Sequence, residues 1–227
     1  MLIGVSGKAG SGKDTVGMYL QALSMEEECI GGYWATKPIE YAKSYETRPN
    51  LKGGWRIVKF ADKLKRFCAD LLSVQVEKFE DRTFKESELP SEWIRFLKIM
   101  DQGKIVTVDE RMTGRDLLRA VGIGLRDTVH ERIWINGLFV DYKGFEHKGV
   151  QIYPNWIITD LRFPNELQEV KVRNGISVRI ERPGIHVSSN YSETALDDAE
   201  FDHIIINDGT QEELLEKVEN IYNMYKK

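Results

Sequence analysis

Cysteine is scarce in this chain. Cys29 and Cys68 are the only two, and neither has a partner at metal-ligating or redox spacing. A disulfide framework and a thiolate metal site are thereby excluded, and both side chains read as packing residues in a reducing compartment. Histidine is almost as rare, with four. His186, the one in a polar, flexible stretch, reads as a hydrogen-bonding group rather than a metal ligand, because nothing stands at ligand spacing from it. No apolar run is long enough to span a bilayer. Leu2 to Ser6 is too short for a secretory leader and runs straight into a glycine-rich turn. A cytoplasmic protein without a membrane partner is therefore expected. A basic excess is also missing: 32 Lys and Arg face 36 Asp and Glu, for a net charge of −4. That balance announces no face for a nucleic acid, but it permits a local cationic pocket for a nucleotide-sized anion. Internal repeats and low-complexity tracts are lacking, as is any Ser-His-Asp or Cys-His set.

What is present starts at the N-terminus. Met1 to Ser6 reads as a short buried strand, followed by Gly7-Lys-Ala-Gly10-Ser11-Gly12-Lys13-Asp14-Thr15 and then an apolar-striped helix. Strand, glycine-rich turn ending in Gly-Lys, and helix form the context of a phosphate-binding P-loop. The glycines let successive N–H groups turn inward, the helix start adds partial positive charge, and Lys13 supplies a point charge for the outer phosphates. Asp14 stands where Ser or Thr usually follows the lysine. A carboxylate beside a polyanion is expected to turn away, into the protein or toward a basic partner. A glycine-rich turn with a chance lysine is the alternative, and the placement between strand and helix disfavours it.

Further along, residues 25–54 read as a surface excursion with little regular structure, and 55–60 as a second strand. A helix follows from Ala61, with apolar residues at 64, 67, 68, 71 and 72. Lys65 and Arg66 fall in its first turns, at the strand-end edge where open α/β sheets bind ligands. Residues 74–112 read as one or two short helices forming an insertion. Arg115, Arg119, Arg126 and Arg132 follow on helices around Thr113–Phe139, a concentration of the side chain best suited to bidentate phosphate contact. Most helical arginines are simply solvated, so one or two of the four are expected to touch substrate. Residues 142–155 read as a loop. Trp156 to Asp160 is a buried strand ending in a carboxylate, a Walker-B-like arrangement in which Asp160 would hold magnesium through water. Arg162 lies two residues beyond, and Pro164 suits a helix start. Strands at 176–181 and 203–206, a lid-like polar stretch at about 184–200 and a C-terminal amphipathic helix capped near Thr210 complete the chain. Five strands separated mainly by helices predict an α/β three-layer fold, an open five-stranded parallel sheet with helices on both faces.

Taken together, these residues resemble the deoxynucleoside monophosphate kinases of tailed bacteriophages, within the wider group of P-loop nucleoside monophosphate kinases. The matching pieces are the Gly7–Thr15 loop, Phe60-Ala-Asp-x-Leu-Lys65, Gly114-Arg115 through Gly122 and Arg126, Trp134-Ile135, Thr159 through Glu166, Arg182-Pro-Gly184 and Asn207-Asp-Gly-Thr210. The Thr-Asp-x-Arg-Phe-Pro-x-Glu run combined with Gly-Lys-Asp-Thr is the most specific. The resemblance implies one P-loop kinase domain over 1–227, insertions at about 25–54 and 74–112, a short lid, and a strand order of 2-3-1-4-5. It implies ATP and Mg2+ as cofactors and transfer of the γ-phosphate to a deoxynucleoside monophosphate. Gly10, Ser11, Gly12, Lys13, Asp14 and Thr15 would hold the ATP phosphates, with Asn207, Gly209 and Thr210 beside the adenine. Asp160 would lie near the metal and the acceptor. Arg162 would grip the acceptor phosphate, with Lys65, Arg115 and Arg126 as further contacts, and Arg182 would belong to the lid. Arg119 stands where the family commonly has Gln, and Ile123 where it commonly has Thr. A homodimer is suggested by analogy alone, and the host cytoplasm is the expected location if the gene is phage-borne. Two other readings stay open: a P-loop kinase of another small acceptor, of the dephospho-coenzyme A, gluconate or phosphomevalonate type, and a nucleotide-binding protein without catalysis.

Overall fold

The computed structural model describes residues 1–25, 37–44, 55–101, 103–185 and 191–226. The chain divides into two compact units, Met1–Phe60 with Leu138–Lys227, and Ala61–Gly137.

The first unit is built on a five-stranded parallel sheet. Its strands are β1 (Leu2–Gly7), β2 (Arg56–Val58), β7 (Trp156–Leu161), β8 (Ile176–Glu181) and β9 (His203–Ile206), in the spatial order β2-β7-β1-β8-β9. Numbered among themselves in chain order, these strands stand 2-3-1-4-5, as expected. β1 and β7 open as apolar runs because helices cover both faces and leave these strands almost wholly buried; β8, which alternates in sequence, is buried as far as Ile180 all the same. The covering helices are α1 (Lys13–Leu23), α7 (Pro164–Val172) and α9 (Gln211–Tyr225), and α2 (Pro38–Ser44) packs on α1 and α9. Ile3, Val5, Val16, Tyr19, Leu20, Ile157, Val178 and Ile180 form the centre of the core, each at most 1 % exposed. α9 opens on a capping box, with Thr210 and Glu213 satisfying each other's amide. α7 ends at Val172, and just beyond it Asn174 takes the left-handed conformation at φ 54°, followed by Gly175.

Two stretches are more structured than the sequence suggested. The excursion expected over 25–54 contains α2, whose Tyr41 is buried against Ala22 and Met25 and donates to Gln21 Oε1 at 2.5 Å. Residues 26–36 and 45–54 of that excursion, with Cys29, lie outside the described residues. Residues 142–155, expected as a loop, carry a small hairpin of β5 (Phe145–His147) and β6 (Val150–Ile152) that turns on Lys148 and Gly149, both at positive φ. Its sides are exposed, so no burial pattern marked it in the sequence.

The second unit packs α3 (Ala61–Leu72), α4 (Arg82–Glu86) and α5 (Gly114–Thr128) around Cys68, Ala69, Phe79, Met112 and Leu117. Cys68 is buried, and burial pushes its thiol up to about 11, an inert packing residue as its isolation predicts. The insertion expected as short helices also holds a long antiparallel hairpin, β3 (Arg95–Asp101) with β4 (Lys104–Glu110). Its apolar residues are largely exposed on both sides, with Phe96 and Met100 at 71 %, so the one-sided alternation that signals a strand is absent. α5 runs unbroken from its Thr113–Asp116 capping box to Thr128. α6 (Ile133–Phe139) closes the stretch, and Trp134 Nε1 donates to Gly122 O at 3.0 Å.

Candidate active site

The loop between β1 and α1 has the form the sequence announces. Gly10 at φ 78° and Gly12 at φ 98° occupy the left-handed region, which a side chain would strain. The loop closes on itself through Ser11 N–H to Lys8 O at 3.1 Å, and Val16 N–H to Gly12 O at 2.9 Å begins the helix. Asn207, at the end of β9, clamps the loop from the far side of the chain: Nδ2 donates to Ser11 O at 2.8 Å. A Cβ on Gly12 would stand 2.7 Å from that same nitrogen, so the clamp requires glycine there. Lys13 is 8 % exposed, with Nζ 3.5 Å from Lys8 O. Burial lowers its pKa, Asp14 and Glu193 work against that, and Arg162 and Lys59 add to it.

Asp14 turns toward a basic partner. Its Oδ1 lies 3.1 Å from Lys59 Nζ and accepts from Thr159 Oγ1 at 3.3 Å. Desolvation pushes this carboxyl up, but Lys59, Lys13 and the Thr159 hydroxyl together hold it below its ordinary value. The departure from the usual loop sequence is thus compensated by a lysine one residue beyond β2.

β7 delivers the next two groups. Its pairing with β1 sets Leu161 opposite Ser6, which brings the strand end beside the loop. Asp160, half-buried there, accepts from Phe60 N–H at 2.8 Å through Oδ1. Arg162 follows directly. Buried Glu166 accepts from the N–H groups of both Arg162 (2.8 Å) and Phe163 (3.0 Å), so the start of α7 fixes the backbone that carries the guanidinium. Arg162 Nη1 donates to Glu193 Oε1 at 2.5 Å, and the other oxygen of Glu193 accepts from Ala9 N–H at 2.8 Å. One carboxylate therefore joins Arg162 to the P-loop. Glu193 lies in a short helix, α8 (Tyr191–Thr194), inside the lid-like stretch; residues 186–190, with His186, lie outside the described residues.

Arg182 Nη1 reaches Gly10 O at 3.5 Å. With Pro183, Asn207, Asp208 and Gly209 it lines an open depression of ≈ 230 Å³ beside the loop. The first unit thus gathers Gly10 through Thr15, Asp160, Arg162, Arg182, Asn207, Gly209 and Thr210. Lys65, Arg115 and Arg126 belong to the second unit, where Lys65 pairs with Glu80 at 2.6 Å and Arg115 with Glu86 at 3.3 Å. Arg126 stands in the last turn of α5.

The sequence did not single out Lys59, Glu193, Arg179 or Asp197. Arg179 falls on the polar positions of the alternating strand, with Ser177 and Glu181, so the sequence reads it as outward-facing; in the structure it is buried. It is 7 % exposed, donates to Ser6 Oγ at 3.1 Å and to Asp197 at 2.7 Å, and so braces the end of β1 from β8. Glu193 and Lys59 carry no spacing signal, because their partners are distant in the chain.

The deoxynucleotide monophosphate kinase family model matches residues 60–218, more than two-thirds of the chain. The chain belongs to this family. A deoxynucleotide monophosphate kinase of Enterobacteria phage T4 is 27 % identical over 130 residues, 56 % of this chain and 52 % of that protein. The chain therefore spans about half the length of the phage relative. A protein of Acanthamoeba polyphaga mimivirus, provisionally given the same name, is 25 % identical over 221 residues, 96 % of this chain and 94 % of its own. Among family members of P-loop type, a parallel sheet flanked by helices is the expected frame, and the first unit has it. Among the described residues, no helix is long and apolar enough to cross a membrane.

Proposed function

We propose that the protein transfers the γ-phosphate of ATP to a deoxynucleoside 5′-monophosphate, yielding the diphosphate and ADP. The reading is carried by the single carboxylate held at once by a P-loop amide and by the Arg162 guanidinium. An anionic group gripped from both sides marks where a loop-bound terminal phosphoryl group and a cationic side chain would meet. Family membership supports the acceptor class.

The chemistry asks for little covalent participation by the protein. A bond forms between an acceptor phosphate oxygen and the γ-phosphorus, while the bond to the bridging oxygen of ADP breaks. Positioned cations and exclusion of water supply the catalysis. Lys13 and the amides at the start of α1 would hold the donor phosphates. Arg162 would draw the acceptor phosphate into line and neutralise charge on the transferred group. Asn207 would keep the loop in shape, and, with Gly209 and Thr210, would lie beside the adenine; Arg182 would cover the rim of the depression there. Lys65, Arg115 and Arg126 are proposed as further acceptor contacts.

Magnesium, when bound, would neutralise charge on the donor phosphate oxygens. The residues fit it: magnesium takes oxygen ligands and keeps several waters, needing only one or two carboxylates beside substrate phosphates. Asp160 is such a carboxylate, and no cluster of three or more His, Cys, Asp or Glu able to hold a metal occurs among the described residues.

A coupled assay of ADP release across deoxynucleoside monophosphates, ribonucleoside monophosphates, dephospho-coenzyme A, gluconate and phosphomevalonate tests the proposal. Turnover of at least one deoxynucleoside monophosphate is expected. Turnover confined to another acceptor would replace it with that kinase, and ATP binding without any turnover would leave a non-catalytic binder.

A further inference from the structure

Two carboxylates, Glu193 on α8 and Asp197 in the turn after it, fasten the segment after residue 190 onto the P-loop. Glu193 takes the Ala9 amide and the Arg162 guanidinium. Asp197 takes the Lys8 ammonium at 3.1 Å with one oxygen and Arg179 at 2.7 Å with the other. Leu196, in the same stretch, is 2 % exposed. The two attachments differ in kind. Asp197 is held by Arg179, which is buried and also braces Ser6, so this end belongs to the framework of the sheet. Among the described residues, Glu193 is held by groups that a phosphate would also use: a P-loop amide and the guanidinium beside it. Its side chain is 12 % exposed, so little water screens it.

We propose that Glu193 is an internal competitor for the phosphate-binding donors of the P-loop and thereby sets the affinity of the site for polyphosphate. This rests on the reading that the loop grips nucleotide phosphates and goes beyond it by naming what they must displace. A carboxylate and a phosphate oxygen cannot share the Ala9 amide and Arg162, and their like charges repel. Binding therefore requires Glu193 to let go while Asp197 keeps the segment attached. A site whose competent form is populated only a tenth of the time shows an apparent affinity about tenfold weaker than its intrinsic one. The return of Glu193 after transfer would also help to expel the product phosphates.

The test uses inorganic tripolyphosphate, which carries no base and is no acceptor. Its binding to the full-length protein is measured by titration calorimetry at fixed ionic strength for the wild type, Glu193→Gln and Glu193→Asp. Glu193→Gln keeps the size and removes the charge, so binding is expected to tighten by about tenfold. Glu193→Asp keeps the charge but is too short to span both donors, and is expected to fall between. A carboxylate that merely braced the loop would give the reverse order, with both variants binding equally or more weakly than wild type; that result overturns the proposal. Tighter binding in Glu193→Gln from a protein that phosphorylates no nucleotide would uphold this inference while the kinase reading failed. Unchanged binding in an active kinase would do the opposite.

Discussion

Asp14 and Lys59 form an ion pair at 3.1 Å between the residue that follows the P-loop lysine and the residue that follows β2. The Asp14 side chain is 56 % exposed, so the pair contributes at most about 1 kcal/mol to stability. Its larger effect falls on the ligand, because an uncompensated carboxylate beside Lys13 would repel phosphates. Lys59→Met is expected to leave the urea midpoint nearly unchanged and to weaken ATP binding about three- to tenfold, less so in high salt, where such charges are screened. Equal ATP affinity at low ionic strength would show that Asp14 has no influence at the phosphates.

Gly17 sets the approach of α1 to β7. A Cβ there would stand 2.4 Å from Thr159 Cγ2, and Thr159 is fully buried while its hydroxyl holds Asp14. Alanine would raise helix propensity by about 1 kcal/mol, but overpacking against a buried strand costs about 1–3 kcal/mol. The clash should win. Gly17→Ala is expected to lower stability in urea and to weaken ATP binding as α1 shifts; a stabilised variant would mean that helix and strand can part without loss.

Asn207 joins the last strand to the loop. Asn207→Ala leaves the Ser11 carbonyl without its donor, at a cost of about 1–2 kcal/mol. The KM for ATP should rise several-fold while the KM for the acceptor stays put. A change confined to the acceptor would place Asn207 on the wrong side of the site.

Acid should unfold the protein through a few named carboxylates. Desolvation raises Asp202, but the Ser177 amide and hydroxyl outweigh it and hold the group below its ordinary 3.8. Asp116, bonded to Thr113 in its capping box, is lowered likewise, as is Asp14. Groups with depressed values bind fewer protons when folded than when unfolded. Their stabilisation is complete above 3.8 and is lost as pH falls through the folded values. The urea midpoint should be flat above about pH 5 and drop below it. Asp202→Asn should remove part of that drop, and an unaltered acid limb would mean that Asp202 does not contribute.

The sheet was legible because β1 and β7 begin as the apolar runs that a parallel strand buried on both faces requires, and because β8 alternates. The loop was legible because Gly10, Gly12 and Lys13 are required at fixed spacing by backbone geometry and by phosphate charge. The β3–β4 hairpin was hidden because its apolar residues face outward on both sides, and Tyr41 because one buried aromatic carries no period. Glu193 and Lys59 could not be found by pattern at all: each acts through partners brought near by the sheet order, which local spacing does not encode.

The central claim is that Arg162 faces the P-loop and grips the acceptor phosphate to which the γ-phosphoryl group is transferred. It is tested most directly by steady-state kinetics of Arg162→Ala with a deoxynucleoside monophosphate acceptor, alongside ATP binding measured by calorimetry. The expected result is a loss of two or more orders of magnitude in kcat/KM for the acceptor, about 3 kcal/mol of transition-state stabilisation, with ATP binding retained. Wild-type kinetics in the variant would contradict the account.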